Sequence, residues 1–245
     1  MTESDFIKFF LMETAQDNIK PHTDEVRPPL EQPCPSNAQI LRLPEPELLP
    51  DVSINFLELI ELRSSVRQFS EKSITLNQLS FMLWCTQGVK MVLPQGVTMR
   101  NVPSAGASHA LETYLLIQRV EGLKPGLYRF LALGHALQVI RLGEDVIEEA
   151  APLFNSKNMV HDSAVTFLWT ADLKRMSYKY GLRGTRYLSL DAGHVCQNLY
   201  LAAYVQKIGT CALGAFDDIS LNAFLGLDGE NDFIVYGASV GKAQM

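Results

Sequence analysis

Closely spaced strand segments between residues 111 and 142 limit the folds that are open to this chain. LETYLLIQRV at 111–120 has the composition of a strand. GLYRFL at 126–131 and ALQVIRL at 136–142 predict two more strands, with a turn at Gly134 and His135 that makes them a hairpin. Helical patterns lie before and after these strands without strict strand–helix–strand alternation. The sequence therefore predicts an α+β fold rather than a doubly wound parallel sheet.

The spacing of hydrophobic residues predicts the secondary structure of most of the remaining segments. Residues 54–63 and 75–87 have helical spacing, and Thr75 or Ser73 is the expected cap of the second helix. The apolar run at 164–172 predicts a strand, and residues 174–181 predict a short helix. The longest predicted helix spans 186–209, with Gly209 as its C-cap. Its apolar stripe consists of Leu188, Ala192, Val195, Leu199 and Ala203, widened by Leu190, Leu201 and Ala202.

The first 50 residues differ in composition from the rest. A short amphipathic helix is predicted at 4–18, and eight prolines follow between Pro21 and Pro50. Proline lacks a backbone donor and fixes its φ angle, so this segment is expected to be an extended arm. Two interpretations stay open: the arm wraps the body or a partner subunit, or it is a partly disordered linker. The predicted organisation is an arm over 1–50 and a compact body over 51–245.

Charge and cysteine usage exclude several classes of function. The net charge of −6 gives no overall attraction to nucleic acid or to an anionic membrane. No apolar run reaches the roughly 18 residues expected of a spanning helix, and the N-terminus is too polar for a signal peptide. The four cysteines form no C-x-x-C pair and suggest no metal site. We therefore expect reduced thiols and a cytoplasmic protein. Dinucleotide-fold, P-loop and zinc-protease motifs are all absent from the sequence.

Three short segments have residue types suited to binding a phosphorylated, flat cofactor. Arg63-Ser64-Ser65-Val66-Arg67 places two guanidiniums and two hydroxyls where they can converge on one phosphate. The small residues of 101–108 allow a ligand to approach the backbone closely. Residues 212–217 lead from a strand into a helix N-terminus, where backbone donors are free. Taken singly, each also fits an ordinary helix end, loop or turn.

Together, and in this order, the three segments resemble the nitroreductase superfamily. Residues 63–69 are similar to its R-x-S-x-R/K-x-F signature, 103–106 to its P-S-x-x loop, and 193–199 with 214–217 to its long helix and G-F-D turn. Within it, the residues around Lys179-Tyr180 and Asp191-Ala192-Gly193-His194 most resemble the SagB-type group, which includes azoline dehydrogenases. The resemblance implies a central, mostly antiparallel sheet flanked by helices, in an intertwined homodimer that holds FMN between its subunits.

The resemblance also implies roles for individual residues. Arg63, Ser64, Ser65 and Arg67 would hold the phosphate and ribityl end of FMN, and Lys242 would add a charge there. The partner chain's Pro103, Ser104 and Ala105 would face the ring system, and the backbone of Gly214 and Ala215 would face flavin N5. Simple nitroreductases often have Glu-Gly where this chain has Gly214-Ala215. That departure leaves the backbone contact intact but changes the expected substrate preference.

Lys179 and Tyr180 match the adjacent Lys-Tyr pair that azoline dehydrogenases use as a base. Either residue needs burial or a cationic neighbour to serve near neutral pH, and Arg183 and Arg186 are the expected neighbours of Tyr180. The competing interpretation is that this pair only covers the surface of a helix. His109 is expected to bond its own loop, with a substrate contact as the alternative, and His194 is expected to be a core histidine.

Three functions remain open at this level. The first is hydride transfer to flavin N5 during oxidation of azoline rings in peptides, with oxygen or another electron acceptor. The second is NAD(P)H-dependent reduction of nitroaromatics or quinones. The third is a flavin-binding, non-catalytic subunit of a peptide-modifying complex.

Overall fold

The computed structural model describes residues 2–46 and 55–244. In chain order these residues form α1 (Glu3–Glu13), β1 (Ile40–Arg42), α2 (Phe56–Leu62), α3 (Leu76–Gln87), β2 (Val89–Leu93), β3 (Val97–Arg100), β4 (Leu111–Ile117), β5 (Gly126–Leu131), β6 (Ala136–Leu142), α4 (Asp145–Ala150), α5 (Lys157–Asp162), β7 (Val165–Asp172), α6 (Leu173–Tyr180), α7 (Gly184–Tyr204), β8 (Gly209–Leu213), α8 (Asp218–Leu225) and β9 (Asp232–Gly241). The predicted boundary between arm and body, at residues 50 and 51, lies outside the described residues.

A seven-stranded sheet organises the body, in the order β1-β6-β5-β4-β7-β9-β8. Every pairing between neighbours in it is antiparallel, which confirms the predicted α+β class and the antiparallel character of the sheet. Strands β4, β5 and β7 are buried along their whole length. Burial on both faces explains why these strands read as continuous apolar runs rather than as alternating patterns.

Each face of the sheet is covered by helices. Because side chains of a strand alternate between faces, Leu115 and Ile117 of β4 join α3 and α7 in the larger apolar cluster. Tyr114 and Leu116 of the same strand join α4, α5 and α8 on the other face. Helix α7 belongs to the larger of the two clusters, where it is a central element of the core, as its apolar stripe predicted.

The predicted helices α3 and α7 form, with one error at an end. Thr75 caps α3 through a reciprocal capping box with Gln78. Helix α7 ends at Tyr204 rather than at 209, and Gly209 opens β8 instead of capping the helix. The chain leaves α7 through Lys207, which adopts the left-handed conformation at φ 58°. A Cβ on Gly209 would come within 2.7 Å of the Val66 side chain, so this glycine serves a close approach.

The arm lies extended along the body of its own chain. The backbone N–H of His22 donates to the Tyr178 carbonyl at 3.0 Å, and β1 extends the sheet by pairing with β6. Gln32 lies between these anchors, where its side-chain amide donates to Asp172 at 3.0 Å and to Asp232 at 3.2 Å. Of the two open interpretations, the structure favours an arm that wraps the body.

Gln32 enters a cluster of buried charges. Its backbone N–H donates to Glu112 at 2.8 Å, and Arg175 bonds both Glu112 and Asp172 at 2.7 and 3.0 Å. Burial, reinforced by the charge of Asp172, raises the pKa of Asp232 to about 6. The arm is therefore fixed by satisfied, largely buried polar groups rather than by apolar packing alone.

Candidate active site

The Arg63–Arg67 segment lies against β8 and α7. The Val66 N–H donates to the Thr210 carbonyl at 3.0 Å, and the Ser65 hydroxyl lies 3.0 Å from the Tyr200 hydroxyl. The Arg63 guanidinium lies over the Tyr200 ring, 5.2 Å from its centroid. Arg67 is exposed and donates to the Ser65 carbonyl at 3.4 Å. The structure thus places Arg63 and Ser65 on one tyrosine, and Arg67 on the backbone of Ser65.

These two guanidiniums carry positive charge that no described carboxylate compensates. Within residues 2–46 and 55–244, neither Arg63 nor Arg67 forms a salt bridge. Ser64, between them, is exposed. Two cations of one short segment, with the exposed Ser64 between them, have the chemistry to bind an anion such as a phosphate.

Lys242 lies beside this segment through its backbone. Its carbonyl accepts from the Ser70 N–H at 2.8 Å, and Ala243 pairs with Phe69. Burial, partly opposed by Glu121 and reinforced by Lys72, lowers the pKa of its side chain. Glu121 and Lys72 are thus the charges that act on its ammonium, and a phosphate contact for Lys242 stays a prediction.

The turn at Gly214 and Ala215 is exposed at the end of β8. The Ala215 carbonyl accepts from the Asn155 N–H at 3.1 Å, and Phe216 pairs with Phe154. Strand geometry places Gly214 roughly 13 Å along β8 from Thr210, the partner of Ser65. The two predicted ends of the cofactor site therefore share one strand.

The Pro103–Gly106 loop is fixed by Asp191 of α7. The Ser104 hydroxyl donates to one Asp191 carboxylate oxygen at 2.6 Å, and the Ala105 N–H donates to the other at 3.1 Å. Burial raises the pKa of Asp191, although both hydrogen bonds oppose that rise. The Ser104 hydroxyl is thus engaged within its own chain, and Pro103 is exposed.

Lys179 and Tyr180 lie directly on this loop. The Lys179 Nζ donates to the Gly106 carbonyl, and a Cβ at Gly106 would collide with the Tyr180 hydroxyl. Gly106 also has φ +54°, so the close approach and the backbone conformation both require glycine. The predicted base pair and the predicted ring-facing loop form one surface of the same subunit.

The electrostatic surroundings of this pair differ from the expectation. Arg183 donates to the Tyr187 hydroxyl at 2.7 Å and to the Thr14 carbonyl at 2.6 Å. Arg186 bonds the Thr14 hydroxyl at 2.6 Å. Both arginines therefore contact the end of α1 instead of lowering the pKa of Tyr180, so that prediction is wrong.

The pKa values favour Lys179 over Tyr180 as a base. Burial, with smaller contributions from Tyr187 and Asp191, raises the pKa of Tyr180. Burial, followed by the charge of Arg27, lowers the pKa of Lys179. A lowered pKa increases the fraction of the amine that is neutral near pH 7, which a proton acceptor requires.

The two histidines are placed differently from the predictions. His109 is buried, and burial with Arg100 and Arg175 lowers the pKa of its ring to about 3. Its main-chain N–H donates to the Ser104 hydroxyl at 2.9 Å, whereas its ring bonds the backbone of Thr98 in β3 rather than that of its own loop. His194 is exposed on α7, so its prediction as a core residue is wrong, as is that of Leu190, which is 59% exposed.

Other expectations concern the whole chain. All four cysteines are free, and the described residues contain no group of side chains suited to hold a metal ion. Among the same residues, no helix has the length and apolarity needed to cross a bilayer.

Comparison with known families gives a match over most of the chain. The nitroreductase family model matches residues 60–242. MJ1384 of Methanocaldococcus jannaschii, named as a nitroreductase, is 33% identical over 178 residues, which are 72% of this chain and 87% of that protein. The trifolitoxin operon protein TfxC of Rhizobium leguminosarum bv. trifolii is 25% identical over 191 residues. That match covers 73% of this chain and about half (53%) of TfxC.

Solved structures share the fold. A protein of Ralstonia eutropha JMP134, also named as a nitroreductase, superposes with a TM-score of 0.69 at 22% identity, covering 93% of this chain and 99% of the other. The E. coli microcin synthetase McbBCD complex, with truncated pro-MccB17 bound, matches with a TM-score of 0.62 at 18% identity, over 82% and 79% of the two chains. A Desulfovibrio desulfuricans structure in complex with FMN matches at 0.56 and 16%, over 79% and 89%.

Proposed function

This chain belongs to the nitroreductase family, and we propose that it is an FMN-dependent oxidoreductase that oxidises azoline rings in a modified peptide. The observation that carries the proposal is the packing of Lys179 and Tyr180 onto the Pro103–Gly106 loop. That packing brings the Lys179 amine, the proton acceptor of this proposal, to the loop that the family resemblance assigns to the flavin ring. A pair that only covered a helix surface would have no need of this contact.

The residues at Arg63–Arg67 fit the phosphate end of FMN. The guanidiniums of Arg63 and Arg67, which have no salt-bridge partner among the described residues, would bind the phosphate, and the exposed Ser64 and the half-buried Ser65 would contribute hydroxyl groups. Gly214 and Ala215 would meet the ring system through their backbone. When bound, FMN supplies the hydride acceptor at N5. The relative in complex with FMN supports this cofactor through the shared fold.

The protein's own contribution to the chemistry is proton acceptance and positioning. Conversion of an azoline to an azole removes one hydride and one proton from the ring. Lys179 Nζ accepts the proton in this proposal, because its pKa is lowered while that of Tyr180 is raised. Tyr180 orients the substrate beside the loop, and Asp191 holds the loop in place through Ser104 and Ala105.

A peptide substrate is supported by two relatives. TfxC belongs to the trifolitoxin operon, and the McbBCD structure contains a bound pro-peptide. The chain spans about half the length of TfxC. The free cysteines support a reducing compartment such as the cytoplasm.

The alternative function is reduction of small acceptors at the expense of NAD(P)H, and the similarity to MJ1384 favours it. Steady-state turnover separates the two. An azoline-containing peptide should be oxidised with oxygen as acceptor, whereas NADPH with a nitroaromatic should give little turnover. Rapid NADPH oxidation and an inert azoline peptide would instead select the reductase.

A homodimer is the proposed assembly, since the family places the cofactor between two subunits. Exposed apolar side chains of α2 support it: Phe56 is 70% exposed and Leu57 64% exposed. An apolar cavity of about 500 Å³ beside them is lined by residues of α2, α3 and α7. Light scattering in solution should give twice the 27.3 kDa mass of one chain, and a monomeric holoprotein would contradict the assembly.

Arg67→Ala is expected to weaken FMN retention. The guanidinium is exposed and unpaired within the described chain, so its loss removes a charge-assisted bond to the phosphate, worth about 1.5–3 kcal/mol or roughly 10- to 150-fold in affinity. The measurement is the flavin-to-protein ratio from the visible spectrum of the purified protein, with fluorescence titration of FMN. Arg42→Ala, an exposed arginine of β1, is the control. Equal affinity in the two variants would remove Arg67 from the site.

A further inference from the structure

The N-terminal arm contributes a side of the cavity next to Lys179. Arg27, Pro28, Pro29 and Leu30 of the arm line one side of a small cavity. Ala107, Ser108, Tyr178 and Lys179 of the body line the other side. The sequence analysis predicts no chemical role for the arm, because the family motifs all lie after residue 60.

Arg27 is held in place by two contacts of its guanidinium and by anchors of the arm before and after it. The Arg27 guanidinium lies 5.8 Å from the centre of the Tyr178 ring and donates to the Gln95 carbonyl in the turn between β2 and β3. On either side of it, the arm is anchored by the His22 bond to Tyr178 and by the half-buried side-chain amide of Gln32. Arg27 therefore joins the arm, the β2–β3 hairpin and α6 at one point.

The charges around Lys179 give Arg27 a distinct role. Arg175 of the same helix is buried and paired with Glu112 and Asp172. His109, from the loop, is neutral near pH 7 because its pKa is lowered to about 3. Tyr178 and Tyr180 flank Lys179 in α6, and Asp191 contacts the same loop from α7. Arg27 is the neighbouring charge that, after burial, lowers the pKa of Lys179.

We propose that Arg27 is a positioning residue of the active site, which the arm brings to the cavity lined by Lys179, where its positive charge favours the neutral, proton-accepting form of the Lys179 amine. The inference rests on the proposed function of Lys179. It makes the arm a part of the catalytic unit rather than a tether. A body that lacked the arm would keep its flavin-binding segments and lose this cation.

Titration of Lys179 in the full-length holoprotein tests the inference without any activity assay. Lysines are converted to ¹³C-dimethyl-lysines, and the Lys179 signal is identified by its absence from Lys179→Arg. In Arg27→Gln the titration midpoint of the Lys179 amine is expected at higher pH than in the wild type, because the neighbouring positive charge is lost. Arg27→Lys, which keeps the charge, and Arg42→Gln, which alters another arm residue, should leave the midpoint in place.

An unchanged midpoint in Arg27→Gln would overturn the inference. Amide exchange of residues 20–33 checks that the arm of each variant stays docked. If the glutamine variant releases the arm, the titration midpoint of Lys179 is compared between Arg27→Lys and Arg27→Met instead, and equal midpoints would overturn the inference. The pH profile of azoline oxidation separates this inference from the proposed function. A shifted Lys179 titration with no shift in the profile would support the role of Arg27 and contradict Lys179 as the base.

Discussion

Replacement of Lys179 by methionine is expected to lower kcat for azoline oxidation by about 10²- to 10⁴-fold, which is the usual contribution of a positioned general base. The side chain contacts the Gly106 carbonyl on the loop that faces the proposed flavin. Methionine preserves length and removes the amine. Flavin content should stay unchanged, because Arg63 and Arg67 lie elsewhere on the chain.

Lys174→Met is the matched control for this variant, because Lys174 is an exposed lysine of the same helix. Tyr180→Phe should have a smaller effect than Lys179→Met, since burial raises the pKa of the Tyr180 hydroxyl and makes it the poorer base. The measurement is single-turnover reduction of the bound flavin by an azoline peptide. A Lys179→Met protein that reduces its flavin at the wild-type rate would leave the pair with a structural role.

Arg175→Met is expected to lower the free energy of unfolding by roughly 3–5 kcal/mol, because it leaves two carboxylates buried without their cation. The side chain of Arg175 is 5% exposed, and those of Glu112 and Asp172 are 6% and 5% exposed. Arg175 also donates to the His109 carbonyl at 3.0 Å, so the same change loosens the loop that carries Ser104. The change therefore lowers the stability of the fold and also alters the conformation of the candidate site.

Arg141→Met gives the comparison for Arg175 at the surface. Arg141 bonds Glu149 at 2.6 Å, but the two side chains are 42% and 53% exposed, and exposed pairs contribute about 0–1 kcal/mol. Urea unfolding of both variants measures the difference. Restoration of stability by Glu112→Gln in the Arg175→Met background is expected, and equal losses in Arg175→Met and Arg141→Met would refute the assignment.

Most strands and helices of this fold follow from local patterns. Strands β4 and β7 are buried on both faces, so they needed apolar runs, and those runs are visible in the sequence. The sequence patterns do not predict the β2–β3 hairpin, whose strands lie in a separate two-stranded sheet. Met91 and Val92 of β2 are 57% and 54% exposed, and the buried positions of β3 are the polar residues Thr98 and Arg100, so no apolar alternation marks these strands.

The errors share a cause, which is contact between distant parts of the chain. Arg183 and Arg186 are close to Tyr180 in sequence, but their guanidiniums donate to Thr14 instead, Arg183 to its carbonyl and Arg186 to its hydroxyl. Arg27 lies more than 150 positions before Lys179 and still contributes to its surroundings. His194 follows an apolar stripe that continues at Val195, yet its own position on the helix turns it outward. The order of the motifs predicts which segments form the candidate site, and contacts between residues far apart in sequence determine its electrostatics.

Helix α7 braces both halves of the candidate site, since Asp191 holds the Ser104 loop and Tyr200 supports Ser65. Nine residues of helix separate these braces, which is roughly 13 Å along the axis. Inserting or deleting one residue between them would turn one brace by about 100° relative to the other. The number of helical residues between Asp191 and Tyr200 therefore has to stay constant. Substitutions at the solvent-facing positions between them should be tolerated, whereas a change in helix length should not.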